Sequence, residues 1–418
     1  MAIAKLALKS LYNRRVTAIL TVLAIALSVT LLLGVERVRT QTKENFANTI
    51  SSTDLVVGAR TGQVQLLLYS VFRIGNATNN VSWQTYQDII NNPAVKWSVP
   101  FSLGDAHKGY RVLGTTEDYF KFYKYGKKQD LELANGAVFN YPTDAVIGAE
   151  VARKLNYSVG QKIVISHGSA AVSFSNHDNL PFTIVGILKP TGTPVDRTIH
   201  VPLSGIEAIH YGWESGSPQG GQLQPEQLDQ VSLEPKVITA FLLGLSSKMQ
   251  TFMLQRSINE YREEAIMAIL PGVALQELWS TMNMAEQALI VVSGFVVVSG
   301  LLGMLTTILT SLNERRREMA ILRSVGARPG HIFTLLIAEA GILAIAGALL
   351  GVISLYTLLL IIQPLAMDMF GIYVSFSMLT HYELTLLAIV VAAGFLIGLV
   401  PAWRAYRMSL SDGMTIRI

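Results

Sequence analysis

Apolar residues concentrate in four long runs, and most of the remaining chain is polar. The runs are Val16–Leu33, Ala288–Leu312, Ile332–Ile362 and Leu384–Val400. Each meets or nearly meets the ~17–25 residues that an α-helix needs to cross the hydrocarbon core of a bilayer. We therefore predict four transmembrane helices. They occupy residues 16–35, 286–312, 332–362 and 384–401.

A long polar stretch, residues 36–285, separates the first and second predicted spans and is large enough to fold as its own domain. "SWQTYQDIINNP" predicts a helix capped by Ser82 and stopped before Pro93. "DAVIGAEVARKLNYSVGQKIVIS" predicts a strand, a helix over Ala149–Leu155 and a second strand. The stretch therefore has the pattern of a mixed α+β domain.

The end of this stretch leads into the second span. "VITAFLLGLS" and "AIMAILPGVALQEL" are interpreted as strands, with a helix in "KMQTFMLQRSINEY" between them. From about Glu277 the pattern becomes helical and continues without a break signal into the apolar run. We therefore predict one continuous helix that acts as a stalk between the domain and the membrane.

Composition supports a membrane protein. Of the 418 residues 50% are hydrophobic and 15% are charged, whereas soluble domains carry ~25% charged residues. The net charge of +4 comes from basic residues beside the apolar runs, so we expect no nucleic-acid partner and take the lipid bilayer as the partner. Cysteine is absent, which excludes disulfides and thiolate metal sites from this sequence.

Basic residues also predict the orientation of the spans, because short cytoplasmic loops are enriched in lysine and arginine. They precede the first span, lie between the second and third, and follow the fourth: Lys5, Lys9, Arg14, Arg15, Arg315, Arg316, Arg317, Arg323, Arg328, Arg404, Arg407 and Arg417. The predicted short loop 363–383 has neither residue type. We therefore expect residues 1–15, 313–331 and 402–418 in the cytoplasm, and residues 36–285 and 363–383 outside it.

The start of the chain has a basic segment and then an apolar run, as a secretory signal does. The run is long, and no A-x-A-like cleavage site closes it before "GVERVRT". A retained signal-anchor helix, preceded by the amphipathic segment 1–15, is the better interpretation.

The segment between the second and third spans is densely charged, with five arginines and two glutamates in Ser311–Phe333. Met319, Leu322 and Val325 recur three residues apart and so predict one apolar helix face. Gly326 is a candidate C-cap, and Pro329 begins the next element. A solvated loop that only obeys topology is the simpler alternative, but an apolar face held between two spans favours a helix that docks on a partner.

Three stretches resemble the FtsX-like permease family, which includes MacB-type and lipoprotein-releasing ABC transporter permeases. They are "NERRREMAILRSVGA" after the second span, "LVPAWRAYRMSLSDGMTIRI" at the end, and "DAVIGAEVARKLNYSVGQKIVI" in the polar domain. The order of one span, a large domain and three spans is similar too. The resemblance implies an α-helical membrane protein with four transmembrane helices and a large α+β extracytoplasmic domain, the MacB-like core domain, inserted between helices 1 and 2.

The resemblance also implies an ABC permease subunit in the inner membrane, whose segment 313–331 is a coupling helix that sits in a groove of a cytoplasmic ATPase. The coupling residues carried over are Glu314, Arg315, Arg316, Glu318, Met319, Leu322, Arg323, Val325 and Gly326. The sequence has no G-x-x-x-x-G-K-[ST] motif. We therefore expect no catalysis and no cofactor in this chain, with ATP and Mg²⁺ bound by a separate ATPase.

The resemblance leaves the cargo and the task open. One reading is export or extraction of a hydrophobic, peptide or lipoprotein-like substrate, driven by movement passed to the outer domain. The alternative is a mechanotransmitting regulator that activates a periplasmic partner, such as a cell-wall hydrolase, without transport. A receptor is a weaker third reading. A second permease copy, identical or different, and a periplasmic adaptor are the other expected partners.

Small residues at four-residue spacing occur in three spans, and such spacing lets helices approach closely in lipid. The residues are Ser299 and Gly303 in the second, Gly347 and Gly351 in the third, and Gly394 and Gly398 in the fourth. Packing within the chain and contact with a second copy explain them equally well.

A few polar or unusually apolar features remain. Glu339 lies seven positions into an apolar run and is expected near the cytoplasmic headgroups rather than in a proton relay. Val64–Gly75 is interpreted as core, with an exposed surface for cargo or a partner as the alternative. The histidines of the polar domain, His167, His177, His200 and His210, have no metal-ligand spacing, and no catalytic arrangement is evident.

Overall fold

The computed structural model describes residues 2–167, 179–212, 223–314, 316–370 and 377–407. They form twelve α-helices. The helices are α1 (Ala2–Asn13), α2 (Arg15–Thr49), α3 (Gln63–Ser70), α4 (Trp83–Ile90), α5 (Asp118–Phe122), α6 (Ala149–Leu155), α7 (Leu203–His210), α8 (Thr251–Asn259), α9 (Pro271–Glu314), α10 (Arg316–Ser324), α11 (Pro329–Phe370) and α12 (His381–Arg407).

The described residues also contain fifteen strands and three short 3₁₀ helices. The strands are β1 (Leu55–Ala59), β2 (Val81–Ser82), β3 (Val95–His107), β4 (Tyr110–Thr115), β5 (Lys124–Tyr125), β6 (Gln129–Asp130), β7 (Leu133–Gly136), β8 (Asp144–Ile147), β9 (Lys162–Ile163), β10 (Ser166–His167), β11 (Phe182–Leu188), β12 (Thr198–Pro202), β13 (Val237–Ile238), β14 (Ala240–Leu245) and β15 (Ile266–Ile269). The 3₁₀ helices are Pro194–Arg197, Pro225–Gln230 and Lys248–Gln250.

The chain divides into two compact units. The helical unit comprises Met1–Gln41, Asn283–Met369 and Tyr373–Ile418, and the sheet unit comprises Thr42–Met282 with Phe370–Ile372. Within the described residues, four helices are long and apolar enough to cross a membrane: α2, α9, α11 and α12. Four long apolar helices and a mixed α/β domain thus agree with the predicted fold class.

The four helices extend beyond the predicted spans. The first begins at Arg15, as its apolar run indicates, but ends at Thr49 rather than at residue 35. The third continues to Phe370, so the first part of the predicted loop 363–383 is helical. Hydrogen bonding within a helix does not stop where hydrophobicity stops, which is why an apolar run marks less than the whole helix.

The sheet unit is built on one large mixed sheet. Its central order is β15-β1-β14-β3-β4-β12-β8-β11-β7, with β10 on β3 and β9 on β11. The pairs β4–β12 and β8–β11 are parallel, and the other pairs are antiparallel. This pattern fits the mixed α+β reading of the sequence.

Central strands are apolar on both faces because each face packs on its own core. In β14, Leu242 belongs to one apolar cluster and Phe241 and Leu243 belong to another. The same alternation occurs in β1, where Val56 joins the first cluster and Val57 the second. Since successive side chains of a strand point to opposite faces, continuous apolar strands such as these are buried on both sides.

Local signals placed several elements correctly. The Ser82 hydroxyl accepts a hydrogen bond from the backbone N–H of Thr85 and caps α4 as predicted, and α6 covers the predicted residues. The interpretation of "AIMAILPGVALQEL" as one strand is wrong, since β15 ends at Ile269 and α9 begins at Pro271. Proline is favoured at the first position of a helix, and that signal was missed. The helix then continues unbroken to Glu314, as expected.

Candidate functional site: the coupling segment and the helical unit

A short helix occupies the charged segment between the second and third long helices. Its C-terminal turn is closed by hydrogen bonds from the N–H of Val325 to Ile321 O (3.1 Å) and from the N–H of Gly326 to Arg323 O (3.1 Å). Gly326 has a φ of 102°, which glycine adopts at little cost. The predicted C-cap and the restart at Pro329 agree with these bounds.

The faces of α10 differ from the prediction. Met319 is 6% exposed and packs in the apolar cluster of the helical unit, next to the buried Ala320. Val325 is 84% exposed and Ile321 is 54% exposed. Met319 and Val325 therefore do not share one free face, because positions six apart on a helix are rotated by about 120°.

The exposed face of α10 is instead formed by Glu318, Ile321 and Val325, which follow one another at spacings of three and four. Arg323 is half-buried on the opposite side. Arg315 lies outside the described residues, and the side chains of Glu314, Arg316 and Leu322 are not described. The structure thus moves the candidate docking contact from Met319 to Ile321, which the three-residue repeat in the sequence did not single out.

Glycines hold the long helices close together. A Cβ added at Gly347 would lie 2.6 Å from Ile25 Cβ, and one at Gly351 would lie 2.7 Å from Val29 Cβ, so α11 packs directly on α2. On α12, a Cβ at Gly394 would lie 2.5 Å from Ala344 Cβ of α11. Gly398 makes the equivalent approach to Ala340, at 2.6 Å. These four glycines therefore serve packing within the chain, one of the two readings left open by the sequence.

The predicted small-residue pair on α9 behaves differently. Ser299 and Gly303 are exposed, and a Cβ at Gly303 would meet nothing within 4 Å. The close approach on this helix is made by Gly300, whose added Cβ would lie 2.6 Å from Ser28 Oγ. The Ser28 hydroxyl also donates to Val296 O (3.1 Å). Of the two readings left open by the sequence, packing within the chain therefore does not apply to Ser299 and Gly303, and contact with a second copy stays a prediction.

A buried ion pair that the sequence reading missed joins three helices of this unit. The Arg37 Nε of α2 donates to Glu383 Oε1 of α12 (3.1 Å), and both side chains are 2% exposed. The Arg37 Nη2 also donates to Ser377 O (3.0 Å), and its guanidinium lies 5.0 Å from the ring centroid of Tyr356 on α11. Buried charges are tolerated when paired and hydrogen-bonded in this way.

Glu383 also caps its own helix. Its Oε2 accepts from the backbone N–H of Thr380 (2.7 Å), while the Thr380 hydroxyl accepts from the N–H of Glu383 (3.2 Å). This reciprocal arrangement is a capping box, with the sequence signature T-x-x-E. The sequence "THYE" therefore indicates the start of α12. The partner Arg37, 346 residues away, had no sequence signal.

Two other expectations can be compared with the structure. Glu339 is 4% exposed and lies inside the helical unit, and its expected depth near the cytoplasmic headgroups stays a prediction. Val64–Gly75 is largely core, as predicted: Leu66 and Leu67 are fully buried, and the segment is mostly helix α3.

Metal chemistry has no support among the described residues. Within the ranges that the structure covers, no three histidine or acidic side chains come together as a metal site. His200 is fully buried, and burial lowers its pKa to about 3, with a contribution from Arg73. The Nε2 of His210 lies 3.6 Å from Asp105 Oδ1, and although burial opposes protonation, this contact raises the pKa of His210. His177 lies outside the described residues.

Comparison with known families gives two matches along this chain. Residues 18–233 match the MacB-like periplasmic core domain, and residues 290–410 match the FtsX-like permease C-terminal domain. The second match contains α10, α11 and α12 as well as most of α9.

Individual relatives agree with these matches. The chain is 22% identical over 339 residues to the macrolide export ATP-binding/permease protein MacB 1 of Yersinia pestis bv. Antiqua (strain Antiqua), a match that covers 79% of this chain and 47% of that protein. It is 25% identical over 231 residues to the pyoverdine export ATP-binding/permease protein PvdT of Pseudomonas savastanoi pv. phaseolicola, covering 52% of this chain and 33% of that protein. The chain thus spans about half or less of the length of these relatives.

A solved structure is also similar. The periplasmic region of MacB from Actinobacillus actinomycetemcomitans aligns with a TM-score of 0.34 and 10% identity, covering 56% of this chain and 95% of that one. Since the match to the MacB-like core domain extends over more than half of the sequence and the FtsX-like match covers the long helices that follow, the chain belongs to the family of FtsX/MacB-type ABC transporter permeases.

Proposed function

We propose that this chain is the non-catalytic permease subunit of an ABC exporter, and that ATP hydrolysis by a separate cytoplasmic ATPase moves its sheet unit on the outer side of the inner membrane. Relatives named as macrolide and pyoverdine exporters support export over the regulator alternative. The substrate class in this proposal is hydrophobic or amphipathic. A second permease copy and a periplasmic adaptor belong to the same proposal.

The observation that carries the proposal is the exposed face of α10. Ile321 and Val325 are apolar and solvent-facing on a short helix whose opposite side, at Met319, packs on the long helices. An apolar contact on one side and a fixed attachment on the other suit a helix that receives force from a docked protein. The continuous helix α9 leads from this region to the sequence that forms the sheet unit, so it would transmit the movement.

A pair of substitutions on the exposed face tests the docking. Ile321→Glu with Val325→Glu should leave the chain folded and inserted but prevent co-purification with the proposed ATPase subunit, because two charges would be buried without partners at the contact. Co-purification from membranes and ATPase stimulation are the measurements. Normal complex formation by the double variant would remove the basis of the proposed coupling contact.

Two controls separate docking from folding. Ser324→Glu adds one charge to the same helix at the edge of the proposed face and should leave the complex intact. Met319→Glu should instead destabilise the chain itself, since Met319 is buried in the helical unit. Thermal denaturation of each variant in detergent distinguishes these two kinds of failure.

A further inference from the structure

A cleft in the sheet unit has the size of a small-molecule site. Its volume is about 410 Å³, within the ~300–1,000 Å³ that ligand sites occupy. The walls come from the last turns of α2, the segment after α3, the turn between β3 and β4, and the segment 192–198. All of these belong to the sheet unit.

The charged residues that line the cleft are all basic. Its lining residues include Arg73, Arg111 and Arg197 and no aspartate or glutamate. Arg197 has a carboxylate nearby, with its Nε 3.5 Å from Glu150 Oε1. In the described part of the chain, by contrast, Arg73 and Arg111 have no carboxylate partner.

The two arginines are held by neutral oxygens instead. The Arg111 Nη2 donates to Gly75 O (2.9 Å) and Asn76 Oδ1 (2.8 Å). Arg73 donates to the carbonyl of Ser70, and its guanidinium lies 4.9 Å from the centroid of Phe101. These contacts hold both guanidinium groups and leave their charge without an anion among the described residues.

The positive charge of Arg73 contributes to lowering the pKa of two other residues. Burial lowers the pKa of Arg111, and the charge of Arg73 lowers it further. Arg73 also contributes to the low pKa of His200, which burial keeps neutral. A bound anion would offset the repulsion between the two arginines through charge-assisted hydrogen bonds, the stronger class in proteins.

Left-handed backbone conformations occur at Arg73 and in the turn that precedes Arg111. Arg73 has a φ of 60°, a left-handed conformation that residues with a Cβ adopt at a cost and that clusters at ligand sites. Arg111 follows a tight turn in which Lys108 and Gly109 have φ values of 47° and 85°, as the two-residue turns that match strand twist require. Both arginines line the same cleft.

The cleft also has an apolar wall. The rings of Phe46 and Phe72 lie 4.4 Å apart and line it together with Ile74, which is 52% exposed. We infer that this cleft binds an anionic amphiphile, whose carboxylate or phosphate lies at Arg73 and Arg111 and whose apolar part packs on Phe46 and Phe72. This site is independent of the proposed coupling, because binding to it needs no ATPase.

Direct binding to the full chain in phosphatidylcholine nanodiscs tests the site. The probe is 1-naphthyl phosphate, with inorganic phosphate and the uncharged 1-naphthyl glucoside as comparisons. We expect saturable binding of naphthyl phosphate, weaker binding of phosphate alone and none of the glucoside. Arg111→Gln and Arg73→Gln should each weaken the binding of naphthyl phosphate by about tenfold or more. The matched control is Arg256→Gln, because Arg256 is an arginine of the same unit whose side chain is 79% exposed.

Each outcome decides the inference. Unchanged affinity in a folded Arg111→Gln variant, or equal binding of the glucoside by the native chain, would overturn it. If Arg73→Gln does not fold, Arg111→Gln and the native chain's preference for the charged probe still decide. Phosphatidylglycerol nanodiscs identify the natural source of the anion: competition with the probe indicates a lipid headgroup, and unchanged affinity indicates a soluble amphiphile.

Discussion

The helical unit and the sheet unit differ in how they accommodate polar side chains in their interiors. The helical unit buries Arg37 with its countercharge Glu383, each side chain 2% exposed. The sheet unit buries His200 completely in neutral form, and leaves Arg73 and Arg111 partly exposed without countercharges. A buried ion pair holds two helices together. An arginine beside a cleft that has no countercharge is available to an anionic ligand.

The two units also pack differently. In the helical unit, glycines such as Gly347 and Gly351 bring backbones together. In the sheet unit, large side chains such as Phe241 and Tyr119 fill two layers on either side of the sheet. The first kind of packing is expected where lipid supplies no hydrophobic drive between helices, and the second where burial from water stabilises the fold.

Breaking the buried ion pair should have the largest effect. Arg37→Met leaves the Glu383 carboxylate buried without its cation, and we expect a loss of about 3–5 kcal/mol in stability. Resistance to thermal and detergent-induced unfolding measures it. The double variant Arg37→Met with Glu383→Met should recover much of the loss, because no unpaired charge remains. If Arg37→Met alone is as stable as the native chain, pairing does not fasten these helices.

Filling a close helix contact should have the next largest effect. In Gly351→Ala the new Cβ would lie 2.7 Å from Val29 Cβ and 2.9 Å from the backbone oxygen of Ala26. We expect a loss of about 1–3 kcal/mol from overpacking, measured by the same unfolding assay. Gly303→Ala is the matched control, since nothing lies within 4 Å of its added Cβ. Equal stability of the two variants would contradict the close packing of α11 on α2.

At neutral pH the buried histidine should produce no effect, and its effect on stability appears only in acid. The pKa of His200 is about 3 in the folded chain and ~6.5 in an unfolded one. The unfolded chain therefore binds more protons between these values, so His200 leaves stability unaffected above pH 6.5 and lowers it as the pH falls towards 3. The expected loss is about 1.4 kcal/mol for each pH unit.

Urea denaturation of the full chain in nanodiscs at several pH values measures this effect. His200→Leu removes the titrating group, so its stability should fall less steeply between pH 6.5 and 4.5 than that of the native chain. Comparing the two chains cancels contributions from other groups of the sheet unit, including Glu150 and Asp196, whose pKa values burial raises. Parallel pH profiles would show that His200 is not held neutral.

Much of the fold was predictable because its signals are local. Apolar runs indicated the four long helices, Ser82 indicated the start of α4, and Gly326 indicated the end of α10. The errors came from signals that were present but given too little weight. Pro271 at the start of α9 and the T-x-x-E box before α12 are both visible in the sequence.

The candidate sites were less predictable because they depend on which side of a helix is covered. Met319 and Ile321 are two residues apart and both apolar, yet only Ile321 is exposed. Ser299 and Gly303 match a packing motif, but Gly300 makes the contact. A periodic pattern defines a face, and only the neighbouring helices decide whether that face is buried.

The sequence by itself determined the number of apolar spans, the mixed character of the polar domain and the family, since each depends on composition, periodicity and short motifs. Only the tertiary structure brought Arg37 to Glu383, and Arg73 and Arg111 to one cleft. The first pair is separated by 346 residues, and strand β2, helix α4 and strand β3 lie between the members of the second. Electrostatic contacts act over a few ångströms in space, and no spacing along the chain encodes which distant residues the packing will place that close together.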